Sequence, residues 1–241
     1  RNWETRKKSK SQIPPTMANK QLISTNKRSV WMLDFLFALP WIEILAEIWK
    51  LLRRLWQGLA DEGIYEVLEY ESTLELLDNK GRSARFQKRE RVRYRQNNII
   101  AYQDHAWGDG EILIDYRCTP GIVVDQYRPG QKTFLLISLR EPKRRGEVDE
   151  FNVEWRIRNG FVRDAELWET EIRHRTKQIK IRIIFPKSRP PRRAWLEEQI
   201  RRRKRQLGPD AFKQLSDGRW SLSWQSKRPK LNERYLLHWE W

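Results

Sequence analysis

The sequence predicts a mainly β protein: an antiparallel β-sandwich of roughly ten strands, with an N-terminal amphipathic α-helix and one short basic helix near the C-terminus. Three observations predict it. From Gly63 onward, apolar and polar residues alternate with period two in one stretch after another. These stretches are short and are divided by turn residues, as in DNKG (78–81), TPG (119–121) and RPG (128–130). Nothing reads as repeated βαβ units and no repeat of fixed period appears, which argues against a Rossmann-type sheet.

Residues 1–29 read as a flexible basic arm, rich in Ser, Asn and Lys, with Pro14-Pro15 and no periodicity. Residues 30–62 are an apolar segment followed by the amphipathic helix. Trp41, Leu45, Ile48, Leu52, Leu55 and Leu59 recur at spacings of four and three, which puts them on one helical face. Trp49 and Trp56 flank that face, and Pro40 suits the first turn. A clean bilayer span is disfavoured. Asp34, Glu43, Glu47 and Lys50 interrupt the best window, and each central charge costs about 2.5–3.5 kcal/mol against about 0.3–0.6 returned per Leu, Ile or Phe. The strip is expected to lie on an anionic lipid surface, to meet a protein partner or a second copy, or to pack on the protein's own sheet.

Residues 63–241 form the expected β-sandwich domain, with the basic helix 191–206 inserted in it. In YEVLEYESTLELL (65–77), Leu68, Tyr70, Leu74 and Leu76 alternate with Glu69, Glu71, Thr73 and Glu75. DNKG turns this strand into a second one running through Phe86, Val92 and Tyr94, giving a hairpin with one strongly charged face. Further strands are expected over 98–104, 111–117, 121–127, 133–140, 151–158 and 167–172. KQIKIRIIF (177–185) sets Ile179, Ile181, Ile183 and Phe185 against Lys180 and Arg182. Pro190-Pro191 introduces the basic helix, with Trp195, Leu196 and Ile200 on its core side. RWSLSWQ (219–225) and ERYLLHWEW (233–241) read as a closing hairpin. The thirteen tryptophans read as inward-facing core residues rather than a ligand cage, because their spacing is the strand period.

The net charge of +17 is concentrated. Residues 1–30 carry eight basic residues against one acidic, and residues 173–205 fourteen against two. Arg173, Arg175, Lys177, Lys180 and Arg182 are expected to line one strand face, extended along a helix end by Arg201, Arg202, Arg203, Lys204 and Arg205. Such a face binds anions and suits nucleic acid, although no helix-turn-helix, zinc finger or RNP motif accompanies it.

No G-x-S-x-G, P-loop, G-x-G-x-x-G, H-E-x-x-H or EF-hand pattern occurs. The densest group of reactive residues is DHAWGDGEILID (104–115), where Asp104, His105 and Asp109 are weak candidates for a divalent cation. No cofactor is implied. Cys118, the single cysteine, excludes an internal disulfide and is expected to be an inert thiol. The first 28 residues are basic and polar without an apolar core, so a cytoplasmic protein is expected, peripheral at the inner face of the membrane. These features together predict a non-enzymatic adaptor that docks or assembles through helix 40–60. Nucleic-acid binding through 173–205 is the alternative, and an enzyme built around 104–115 the third reading.

Overall fold

Alternation dictates the architecture of residues 63–241, which are the residues the computed structural model describes. Helix 40–60 and its strip, Trp41 to Leu59, lie outside them. β1 (Tyr65–Leu76) and β2 (Ser83–Tyr94) form the expected hairpin. The Asp78 carboxylate fixes the turn by accepting the backbone N–H groups of Lys80 at 2.7 Å and Ser83 at 2.6 Å. Gly81 is required there: its φ is +66°, and a Cβ would lie 1.6 Å from the Phe161 carbonyl oxygen.

The strands that follow are β3 (Ile99–Ala106), β4 (Glu111–Thr119), β5 (Ile122–Tyr127), β6 (Thr133–Lys143), β7 (Val148–Arg158), β8 (Ala165–Glu171) and β9 (Gln178–Phe185). The chain ends with β10 (Arg193–Glu198), β11 (Arg203–Gln206), a 3-10 turn (Pro209–Ala211), β12 (Phe212–Gln214), β13 (Trp220–Lys227) and β14 (Arg234–Glu240). They make a seven-stranded sheet, β12-β13-β9-β1-β2-β7-β4, a four-stranded sheet, β11-β10-β14-β8, and a three-stranded sheet, β3-β6-β5, none of them closed into a barrel. Every named pairing is antiparallel except β1 with β9.

The arrangement is sandwich-like. One apolar cluster joins the seven-stranded sheet to the four-stranded one, with Ile179, Ile181, Ile183 and Phe185 of β9 facing Leu237 and Trp239 of β14. All six are fully buried, and burying a side chain of this kind stabilises the fold by about 1.5–3 kcal/mol. A second cluster joins the seven-stranded sheet to the three-stranded one through Tyr65, Val92, Tyr102, Ile137 and Phe151. On the opposite face of the β1–β2–β7 strip, Glu66, Glu69 and Glu150 pair with Arg93, Arg91 and Arg89 across the strands.

Three expectations are corrected. Residues 191–206 are not a helix. Arg193–Glu198 pairs with β14 on one side and β11 on the other, burying Ala194 and Leu196, while Ile200 is 67% exposed at the turn. The closing segments are not a hairpin, because β13 joins the seven-stranded sheet and β14 the four-stranded one, meeting only through packing such as Trp224 on Tyr235, 4.7 Å between centroids. Leu68 is not an inward position. The register slips between Val67 and Glu69, so Leu68 is the extra residue of a β-bulge and the inward parity changes from odd to even there.

Candidate functional site

Where the three sheets meet, the packing leaves a cavity of about 670 Å³. Its walls come from β1 (Tyr65, Tyr70), β2 (Phe86, Lys88, Glu90), β3 (Tyr102, Asp104, His105), β7 (Trp155), β8 (Trp168, Thr170), β10 (Trp195) and β14 (His238). Strand parity creates its polar floor. In β2 the inward positions are Ala84, Phe86, Lys88, Glu90, Val92 and Tyr94, so two charges stand in phase with apolar core residues. In β3, Asp104 stands likewise between Tyr102 and Ala106.

These charges satisfy one another. Lys88 Nζ lies 2.5 Å from Asp104 Oδ1 and 3.3 Å from Glu90 Oε2, and donates to Tyr102 Oη at 3.0 Å. Tyr102 donates to Glu90 at 2.7 Å, and Tyr116 donates to Asp104 Oδ2 at 2.8 Å. Burial alone would pull the Lys88 ammonium down, but Asp104 and Glu90 outweigh it and hold its pKa well above that of ordinary lysine. Burial likewise opposes ionisation of Asp104, yet the adjacent ammonium keeps its carboxyl below the usual range. The phenols of Tyr65 and Tyr102 are pushed up by burial and then by Glu90, so they remain protonated donors.

At the mouth, Glu171 Oε2 accepts from Lys132 Nζ at 2.6 Å, with His105 Nε2 at 3.8 Å. Lys132 sits over the Trp107 ring at 4.6 Å, and that indole donates to Glu169 at 3.4 Å. Burial lowers His105 to about 3, with Arg173 adding to the effect against Asp104, and lowers His174 to about 4, helped by Arg173. Both imidazoles are therefore neutral at pH 7 and act as hydrogen-bonding groups rather than cations. Four buried polar atoms on the wall have no hydrogen-bond partner among the described residues: Glu169 Oε1, Thr170 Oγ1, His174 Nδ1 and Trp195 Nε1.

The expected site residues are dispersed. Arg173 lines the cavity. Lys180 and Arg182 stand on β9, opposite its isoleucine face and beside Glu71 and Thr73 of β1. Arg175 and Lys177 lie between β8 and β9, whereas Arg201, Arg202, Arg203, Lys204 and Arg205 surround the β10–β11 turn of another sheet. With no helix to carry the second group, the anion-binding strip expected over 173–205 is not built along one element. The metal candidates are not assembled either. Lys88, Tyr116 and the His105 backbone N–H occupy the Asp104 carboxylate, and Asp109 pairs with Arg163 at 3.2 Å. Among the described residues no group of three or more His, Cys, Asp or Glu is arranged to hold a metal ion. Burial raises Cys118 to about 12, so its thiol stays protonated. No helix among the described residues is long and apolar enough to cross a membrane.

The cavity residues missed in the sequence are Lys88, Glu90, Trp168, Thr170, Trp195, His174 and His238. For Lys88 and Glu90 a signal was present, since a charge in phase with Phe86 and Val92 on a core strand is anomalous. For the others none was, because Trp168, Thr170, Trp195 and His238 come from three separate strands of the four-stranded sheet and His174 from the segment after β8, and only the fold brings them together.

No protein family matches this chain, and no curated protein matches it in sequence. Among solved structures, an M1 zinc metallopeptidase from Deinococcus radiodurans is similar at 12% identity and a TM-score of 0.42, over 74% of this chain and 42% of that one. A mutant of an M1 zinc metallopeptidase from the same organism, bound to a Tyr-Ser-Ala substrate, is similar at 14% identity and a TM-score of 0.41, over 72% and 42%. This chain thus spans less than half of the peptidase chains. This likeness offers no counterpart to the expected non-enzymatic adaptor or to its nucleic-acid-binding alternative, both structures being of an enzyme. It carries no zinc site over to this chain, whose described carboxylates and imidazoles do not fit one.

Proposed function

We propose that the protein binds a small, largely aromatic or apolar molecule in the cavity between its three sheets. The observation that carries this reading is the set of orphaned polar atoms, Glu169 Oε1, Thr170 Oγ1, His174 Nδ1 and Trp195 Nε1, on the wall of a cavity that also presents the rings of Tyr65, Tyr102, Phe161 and Trp168. Each buried polar atom without a partner costs about 1–3 kcal/mol, and a guest that pairs with it offsets that cost. Ligand sites fall at about 300–1,000 Å³, which matches this cavity in size. Trp168 and Phe161, with ring centroids 6.3 Å apart, present rings for stacking, whereas Trp195 is already stacked on His238 at 5.1 Å.

A neutral solvatochromic dye titrated into the protein tests the reading. Saturable one-to-one binding is expected in the wild type. Ile112→Trp, which fills the cavity from β4, is expected to abolish it while leaving the unfolding midpoint within a few degrees. Equal dye binding by both proteins would place the dye outside the cavity and reject the reading.

A further inference from the structure

Resting on the reading of this cavity as a ligand site, we infer that its natural guest is an acid, whose anionic group is held at the mouth by Arg173 with Arg128. Among the described residues, two cations at the mouth have no carboxylate of their own. The carboxylates of the mouth and floor stand beside cations: Glu171 has Lys132 at 2.6 Å, Asp104 and Glu90 share Lys88 at 2.5 and 3.3 Å, and Glu169 has Arg234 at 3.5 Å, an ion pair that leaves its Oε1 without a hydrogen bond. Asp109 has Arg163 at 3.2 Å, and Glu166 accepts the Arg163 backbone N–H at 2.7 Å. The two arginines are left over. Arg173, half-buried just beyond β8, has its guanidinium 5.4 Å from the Phe134 ring centroid and makes no ion pair or hydrogen bond among the described residues. Arg128, exposed at the RPG turn between β5 and β6, lines the same cavity and is likewise without a carboxylate there.

A guanidinium resting on a ring keeps its planar fork of donors available, the geometry that grips a carboxylate or phosphate with two parallel hydrogen bonds. The neighbouring histidines are neutral, so they neither repel Arg173 nor dilute its charge. A cationic guest would instead meet Arg173 unpaired and find the carboxylates already beside Lys88, Lys132, Arg163 and Arg234. An acid with an aromatic body satisfies both ends: the anion lies at Arg173, and the ring lies along Trp168.

Calorimetric titration with 2-naphthoate, 2-naphthamide and 2-naphthyl phosphate tests this, because the first two differ mainly in charge. The wild type is expected to prefer an anion over the amide by roughly ten- to a hundredfold, the worth of a charge-assisted pair. The tighter of naphthoate and naphthyl phosphate identifies a carboxylate or a phosphate as the headgroup. Arg173→Met is expected to erase the preference by bringing naphthoate and naphthyl phosphate down to the level of naphthamide, and Arg173→Lys to keep part of it. Equal affinity for naphthoate, naphthyl phosphate and naphthamide in the wild type would overturn the acid and leave the cavity site standing. Binding of none of the three would overturn both.

Discussion

The two halves of the interior solve the same burial problem with opposite chemistry. Between the seven-stranded and four-stranded sheets, Ile179, Ile181, Ile183, Leu222, Leu237 and Trp239 exclude water with no titratable group in the set. Towards the three-stranded sheet, the same central sheet buries Lys88, Glu90 and Asp104 among tyrosines. The first half is tolerant, since its energy is spread over many dispersion contacts and scales with area. The second is all-or-none: its members are inexpensive together and costly apart.

Removing one member breaks the comparison most strongly. Lys88→Met leaves Asp104 and Glu90 buried without a counter-charge and is expected to lower the unfolding free energy by about 3–5 kcal/mol in urea titrations. Lys88→Met combined with Glu90→Leu, Asp104→Leu and Tyr102→Phe is expected to recover most of that loss, because it converts the polar half into a copy of the apolar one. A combined variant as unstable as the single one would refute this account.

Acid distinguishes the halves next. The unfolded chain binds protons at its histidines from about pH 6.5 downwards. The folded chain refuses them until about pH 4 at His174 and about pH 3 at His105. Between those values the unfolded state carries more protons, so stability is greatest above pH 6.5 and falls as the pH drops, by up to about 1.4 kcal/mol per pH unit for each imidazole. Urea midpoints at pH 7, 6 and 5 check this, and replacing both histidines with glutamine is expected to flatten the slope.

The smallest effect belongs to the apolar half. Ile181→Val removes one methylene from a fully buried site and is expected to cost about 0.5–1.5 kcal/mol with no pH dependence, measured by thermal unfolding at pH 7 and pH 5.

The same division governs what could be read from the chain. β9 was legible because its four inward residues are all strongly apolar, and the first hairpin because Asp78 and Gly81 carry turn chemistry. β10 was not. Its alternation is only six residues long, and the five basic residues after Ile200 imitate the cationic end of a helix. What makes it a strand is the hydrogen-bonding edge of β14, more than thirty residues away in sequence. The polar floor was half legible, through charges in core phase at 88, 90 and 104. The orphaned atoms were not, since an unpartnered indole or hydroxyl is a property of surroundings and has no local signature.

The parallel contact between β1 and β9 also bears on the making of the protein. Tyr70 pairs with Ile179, so more than a hundred residues must leave the ribosome before the hairpin acquires its second neighbour. At about 5–20 residues per second that is roughly 5–20 s during which the strand destined for the middle of the sheet is its border, with backbone donors and acceptors open to any passing chain. Any fragment ending before Gln178 makes that state permanent, which leaves a nascent or truncated chain far more prone to aggregate than the finished fold.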